Sequence, residues 1–192
     1  MSFPVVLDAC VLIPMPIADL LLRLATAKQF RPLWSDEILD EVERNLVIKL
    51  NKEPSKARRR VETMRNFFPD ALVENYESLV PGMTNDLKDR HVLAASVRAG
   101  AELIVTFNGK DFPTISRRPY NVGLKSPDDF LLDQLDLNTP TVCEIAREVV
   151  ADMSNPHVTW DDYIRGLSQA GLPLFADELA RKAPLFATGD DD

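Results

Sequence analysis

Phe3-Pro4-Val5-Val6-Leu7-Asp8-Ala9-Cys10-Val11-Leu12 sets the architecture of the chain. Its apolar, β-branched start without polar alternation is the pattern of a strand covered on both faces, as in the centre of an α/β sheet. The run ends on a single carboxylate, Asp8. In open α/β sheets ligands and chemistry collect at the carboxyl ends of the strands. A charge there costs free energy unless something pairs with it, and a metal ion is one such partner. Capping the helix that follows is the other reading of Asp8, and the stretch alone leaves both open.

The whole chain sets the frame for that strand. At 192 residues it is long enough for one full domain plus an appendage, and 45% hydrophobic with 27% charged is ordinary for a globular protein. Cys10 and Cys143 lie in apolar contexts without disulfide or zinc-ligand spacing, which points to a reducing compartment. No basic-then-apolar leader opens the sequence and no apolar run reaches membrane-spanning length, so a cytoplasmic protein without a membrane partner is expected. The net charge of −8 counts against simple nucleic-acid binding, which relies on neutralising phosphates. That objection weakens where carboxylates hold divalent cations, and part of the excess lies in Asp190-Asp191-Asp192. Basic residues also cluster, as Lys56, Arg58, Arg59, Arg60 and Arg65, and as Lys110, Arg117, Arg118 and Lys125. A solvated helix face is the default explanation of either cluster.

Taken in order, a helix is predicted from Ile17 to about Gln29 and a short strand around Pro32-Leu33-Trp34. Ser35 is a good N-cap, with Asp36 and Glu37 in the first turn where the dipole favours them. The following helix, to about Leu50, would bury Ile38, Leu39, Val42, Leu46 and Leu50, with Glu41 and Asn45 along one edge of that stripe and Asp40 nearer solvent. Pro54 opens a helix through the basic cluster to about Phe68, and Ala71-Leu72-Val73 reads as a brief strand. In the segment from Asn85 to Gly100, Asp86 suits an N-cap, Asp89 suits either the dipole or a site, and His91 suits helix packing better than general-base duty. Glu102 to Thr106 is a second buried strand. The loop Phe107-Asn108-Gly109-Lys110-Asp111-Phe112-Pro113 follows its carboxyl end, and an extended piece near Asn121-Leu124 closes the sheet. From Ser126 onward only helices are expected, near residues 127–135, 140–153, 159–170 and 174–182, with Ser126 and Thr139 as caps. This divides the chain into a domain at 1–125, a helical extension at 126–186 and a disordered acidic tail at 187–192.

The acids gain meaning from placement. Asp8 ends the first strand, Glu41 lies on a following helix, Asp89 opens a later helix and Asp111 follows a later strand. If the first and fourth predicted strands are neighbours, all four converge at one carboxyl edge. Carboxylates without His or Cys partners form a hard-oxygen site suited to Mg²⁺ or Mn²⁺. Two such ions roughly 4 Å apart activate a water and stabilise the leaving oxygen of a phosphodiester.

The set Leu7-Asp8-Ala9-Cys10-Val11-Leu12, Ser35 through Glu41 to Leu46, Asp86-Leu87-Lys88-Asp89-Arg90-His91-Val92-Leu93-Ala94-Ala95, and Ile104-Val105-Thr106-Phe107-Asn108-Gly109-Lys110-Asp111-Phe112-Pro113 resembles a PIN domain, over roughly residues 3 to 125. The likeness is greatest to the VapC-type ribonuclease toxins of toxin–antitoxin modules. It implies a three-layer α/β/α sandwich with a mostly parallel sheet, here with a C-terminal helical extension similar to that of a longer PIN subgroup. It also implies that Asp8, Glu41, Asp89 and Asp111 form the catalytic, metal-binding quartet, with Thr106, Asn108 and Asp86 in support. Many relatives carry an acid nearer the strand where this chain has Asn108, and Asp111 is the favoured ligand here. The implied activity is Mg²⁺- or Mn²⁺-dependent endonucleolytic cleavage of RNA by a metal-activated water, leaving 5′-phosphate and 3′-hydroxyl ends. A cognate antitoxin inserting a segment into the acidic cleft, and a homodimer, are the partners the family implies. Arg58, Arg59 and Lys110 are candidates for phosphate contact.

Rival readings fare less well. A haloacid-dehalogenase-type phosphatase needs a second aspartate where this chain has Cys10, and no glycine-rich phosphate loop follows the first strand. A PIN scaffold that binds RNA or a partner without cleavage would have its acids serve as caps. A DNA-directed structure-specific nuclease would need insertions that this chain does not show.

Overall fold

The computed structural model describes residues 3–154 and 157–186. The acidic tail expected at 187–192 lies outside the described residues. In order, the chain forms β1 (Pro4–Leu7), α1 (Ala9–Leu12), α2 (Met15–Thr26), β2 (Arg31–Leu33), α3 (Asp36–Ile48), α4 (Pro54–Phe67), α5 (Arg90–Ala99), β3 (Leu103–Val105), α6 (Thr114–Arg117) and β4 (Gly123–Lys125). The helices α7 (Pro127–Leu137), α8 (Thr139–Asp152), α9 (Trp160–Gln169) and α10 (Pro173–Lys182) follow. By its contacts the chain forms two compact units, Met1–Pro14 with Phe30–Ser126, and Met15–Gln29 with Pro127–Asp192.

The first unit is built on a parallel sheet of order β2-β1-β3-β4, an α/β fold. Val5, Val6 and Leu7 are wholly buried, as befits a central strand. Pro32, which has no N–H to donate, sits in β2 at the sheet edge, where the loss is tolerable. The chain crosses from β1 to β2 on one side and later to β3 on the other, so β1 and β3 flank the topological switch point where α/β sheets bind ligands. Against β1 and β3 packs α5, whose Val92, Leu93, Ala94, Ala95 and Ser96 are buried. Gly100 ends α5 in the left-handed conformation (φ 61°) that glycine adopts without strain. Ser35 caps α3 by accepting from the Ile38 N–H at 3.3 Å.

Three local expectations need correction. Ala71–Val73 is not a strand: Pro69–Ala71 is a 3₁₀ turn, and only a single parallel bridge joins Trp34 to Leu72. Leu50 lies past the end of α3 and is 46% exposed. The cap of α8 is Asn138, accepting from the Thr141 N–H, while Thr139 donates to the Leu135 carbonyl.

In the second unit the apolar faces of α2 and α7–α10 form a helical core that includes Leu20, Leu21, Phe130, Val142, Leu167 and Phe175. The buried Asp128 of α7 accepts from the N–H groups of Leu174 (3.1 Å) and Phe175 (2.8 Å), satisfying the first turn of α10. Arg23 joins Asp19 of its own helix to Asp152 of α8. No helix among the described residues is long and apolar enough to cross a membrane.

Candidate functional site

Asp8 occupies the N-cap position of α1, yet its side chain makes no capping bond. Its main chain is held on both sides: the N–H donates to the Val105 carbonyl and the carbonyl accepts from the Val11 N–H, each at 3.1 Å. The carboxylate is 3% exposed. Its Oδ2 accepts from the Thr106 hydroxyl at 2.6 Å and from the Cys10 thiol at 3.2 Å. Two donors on one oxygen fix the direction of a buried carboxylate and satisfy part of its hydrogen-bonding capacity. Thr106 is fixed in turn, because its Oγ1 accepts from the Asn108 N–H at 2.9 Å. Cys10 was not read from the sequence as a site residue. Burial, and then the Asp8 charge, push its thiol up to about 12, so it stays a neutral donor. The Phe107 N–H donates to its sulfur at 3.2 Å.

Asp89 likewise stands at the N-cap position of α5 without a capping bond. The expected cap, Asp86, does not cap the helix. It accepts from the Lys88 N–H at 3.0 Å inside the turn before α5, which begins only at Arg90. The Asp86 N–H donates to the Asp111 carbonyl at 3.1 Å, tying this turn to the 3₁₀ segment Gly109–Asp111. From α3, the half-buried Glu41 accepts from Asn45 Nδ2 at 3.3 Å, another partner that sequence reading did not assign, although the two share one helix edge. Asp40 is exposed.

These acids act on one another. Asp89 is raised from an ordinary carboxylate value of 3.8 to about 7, first by burial, then by the charges of Asp8, Asp111, Asp86 and Glu41. Asp8, Glu41, Asp89 and Asp111 are therefore within electrostatic reach of one another through Asp89, with Asp86 as a fifth charge. Among the described residues no group of three or more His, Cys, Asp or Glu side chains is assembled tightly enough to hold a metal ion by itself. Like charges hold one another apart, and electrostatic reach is longer than a coordination bond. The donor set still fits a hard divalent cation: it is all carboxylate oxygen, and a cation would relieve the repulsion among these like charges. His91 stands apart, buried, with Nδ1 3.7 Å from Glu37 Oε2.

Of the basic candidates, Lys110 is exposed and immediately precedes Asp111. Arg58 on α4 is exposed and pairs with Glu43 at 3.7 Å, and the neighbouring Arg59 is also exposed. Charge is segregated between the units. The first carries sixteen Lys and Arg against fifteen Asp and Glu; the second carries six against fifteen. The helical unit thus carries −9 and the unit bearing the acidic site +1, close to neutral despite its carboxylates.

The PIN domain family matches residues 4–110, and the family described as VapC50 C-terminal domain matches residues 127–181. The chain is 40% identical over 119 residues to a protein of Mycobacterium tuberculosis named "Putative ribonuclease VapC50", covering 62% of this chain and 70% of that one. No solved structure matches it.

Proposed function

The chain belongs to the PIN domain family, and from that premise we propose that it is a metal-dependent endoribonuclease, the toxin of a type II toxin–antitoxin module acting in the cytoplasm. The observation that carries this reading is the buried Asp8 at the carboxyl end of β1, uncapped and held at Oδ2 by Thr106 and Cys10, with Asp89 uncapped at the start of α5; the charges of Asp8, Asp111, Asp86 and Glu41, which act with burial to raise Asp89, support it. The name of the mycobacterial relative supports RNA as the substrate.

Asp8, Glu41, Asp89 and Asp111 would hold Mg²⁺ or Mn²⁺, in a two-ion arrangement. Bound there, such ions supply Lewis acidity toward a water and toward phosphate oxygen, and they offset the negative charge of both partners. The chain's own residues do the rest. Thr106 and Cys10 fix Asp8 in direction by their bonds to Oδ2. Asn108, through its main chain, keeps the Thr106 hydroxyl aimed. Asp89, near 7, gives up its proton as positive charge arrives, so cation uptake at neutral pH releases protons. Lys110, beside Asp111, would reach substrate phosphate, and the near-neutral first unit lets RNA approach without the repulsion that the whole-chain charge implies. A cognate antitoxin would inhibit by laying a segment into the acidic cleft, and the active form is a homodimer.

The chemistry of the cut ends tests this reading. A water nucleophile leaves 5′-phosphate and 3′-hydroxyl ends on RNA. Fragments ending in a 2′,3′-cyclic phosphate would mean that the ribose hydroxyl attacked, and would overturn the proposal.

A further inference from the structure

The one-turn helix α1 connects Asp8 to a second partner, in the basic cluster. A helix end leaves carbonyls without intrahelical donors, and α1, four residues long, has no further turns to brace it. The carbonyls of Leu12 and Ile13 are taken up by one guanidinium: Arg60 of α4 donates from Nη2 to Leu12 at 2.5 Å and from Nη1 to Ile13 at 3.1 Å. The same helix α4 packs against α3, the helix that carries Glu41, and α3 packs against α1. Val61, next to Arg60, lies on the buried side of α4. Arg60 therefore closes a loop of elements: Asp8 to α1 through the Val11 N–H, α1 to α4 through Arg60, and α4 to α3 and Glu41 through packing.

We propose that Arg60 is a positioning residue that fixes the spacing of Asp8 and Glu41 and so sets the affinity of the acidic site for a divalent cation. This rests on the metal-binding reading above. It separates Arg60 from Arg58 and Arg59, whose exposed side chains sit beside it in sequence. A planar guanidinium spans two carbonyls at once, which an ammonium group does not reproduce. Groups hydrogen-bonded directly to a metal ligand change metal affinity by roughly 10–100-fold, and Arg60, which acts through the carbonyls of Leu12 and Ile13, belongs at the lower end of that range.

The test is Mn²⁺ affinity, followed without substrate by the loss of the free-ion electron paramagnetic resonance signal. Arg60→Ala, Arg60→Lys and the matched packing control Val61→Ala are compared with wild type. Arg60→Ala should bind Mn²⁺ about tenfold more weakly and Arg60→Lys should fall between it and wild type, whereas Val61→Ala, which loosens α4 packing but keeps the guanidinium on its two carbonyls, should lose thermal stability with a much smaller loss of Mn²⁺ affinity than Arg60→Ala. If Arg60→Ala fails to fold, the Arg60→Lys and Val61→Ala comparison decides alone. Unchanged affinity in the folded Arg60 variants, or an equal loss in Val61→Ala, overturns this inference and leaves the metal reading standing. A wild type that takes up no Mn²⁺ overturns both.

Discussion

Replacing Asp89 by Asn removes a charge from a site that holds too many. In the folded protein the carboxyl titrates near 7, and its ordinary value is 3.8. The sign follows from linkage. A folded-state value above the unfolded one gives a contribution fully present below about pH 4 and lost as pH rises through about 7, so above neutrality the ionised Asp89 opposes folding. At ~1.4 kcal/mol per pH unit the shift corresponds to about 4 kcal/mol. Asp89 is only half-buried, so solvent screening reduces that to about 1–2 kcal/mol. For a chain of this size that amounts to a rise in Tm of about 2–8 °C. Thermal unfolding followed by circular dichroism in EDTA should show Asp89→Asn more stable than wild type at pH 8, with the gap narrowing steadily toward pH 5. Adding Mn²⁺ at pH 8 should stabilise wild type and leave the variant nearly unmoved. Equal Tm values for the two proteins in EDTA at every pH would refute the convergence of charge on Asp89.

Thr106→Val removes the hydroxyl that donates to buried Asp8, and should cost about 1–3 kcal/mol in chemical denaturation; Thr106→Ser should stay close to wild type, and equal losses in both would point to the methyl group instead. Lys110→Ala and Arg59→Ala should each weaken RNA binding and reduce the slope of log affinity against log salt by about 1; an unchanged slope, measured by fluorescence anisotropy, would make them plain surface residues. Asp128→Ala strips the N–H groups of Leu174 and Phe175 of their acceptor and should lower stability by about 1–2 kcal/mol while RNA cleavage at 25 °C persists, so loss of cleavage in a folded protein would show that the helical unit takes part in the reaction.

The central strand was legible because Val5-Val6-Leu7 carries no polar alternation, whereas the pairing of β1 with β3, which the sequence analysis took as a condition, is supplied by the structure. The sequence groups the four acids by placement, three near strand or helix ends and Glu41 along the edge of the buried stripe of α3. Their freedom from capping was not legible, because Asp at a helix start reads the same whether its side chain bonds the backbone or turns away; only the missing cap bonds at Asp8 and Asp89 decide it. Asp86 was misread for the same reason, its short-range bond to the Lys88 N–H belonging to a turn rather than a helix. Cys10 and Arg60 were illegible as supports. A thiol two residues after an acid has no periodic signature, and an arginine reaching back 47 or 48 residues to two carbonyls leaves no local pattern. The strand expected at Ala71–Val73 failed because Pro69 starts a 3₁₀ turn, and the tight turn leaves room for one bridge only.

RNA cleavage by the acidic site with a divalent ion is tested most directly at Asp8. Purified wild type and Asp8→Asn, prepared identically, are incubated with a mixed pool of structured RNAs in Mn²⁺, Mg²⁺ or EDTA. Wild type should cleave only with a divalent ion, and Asp8→Asn, checked for an unchanged fold by circular dichroism, should cleave at least about 100-fold more slowly. Cleavage by both proteins at the same rate, or by wild type in EDTA, would contradict it.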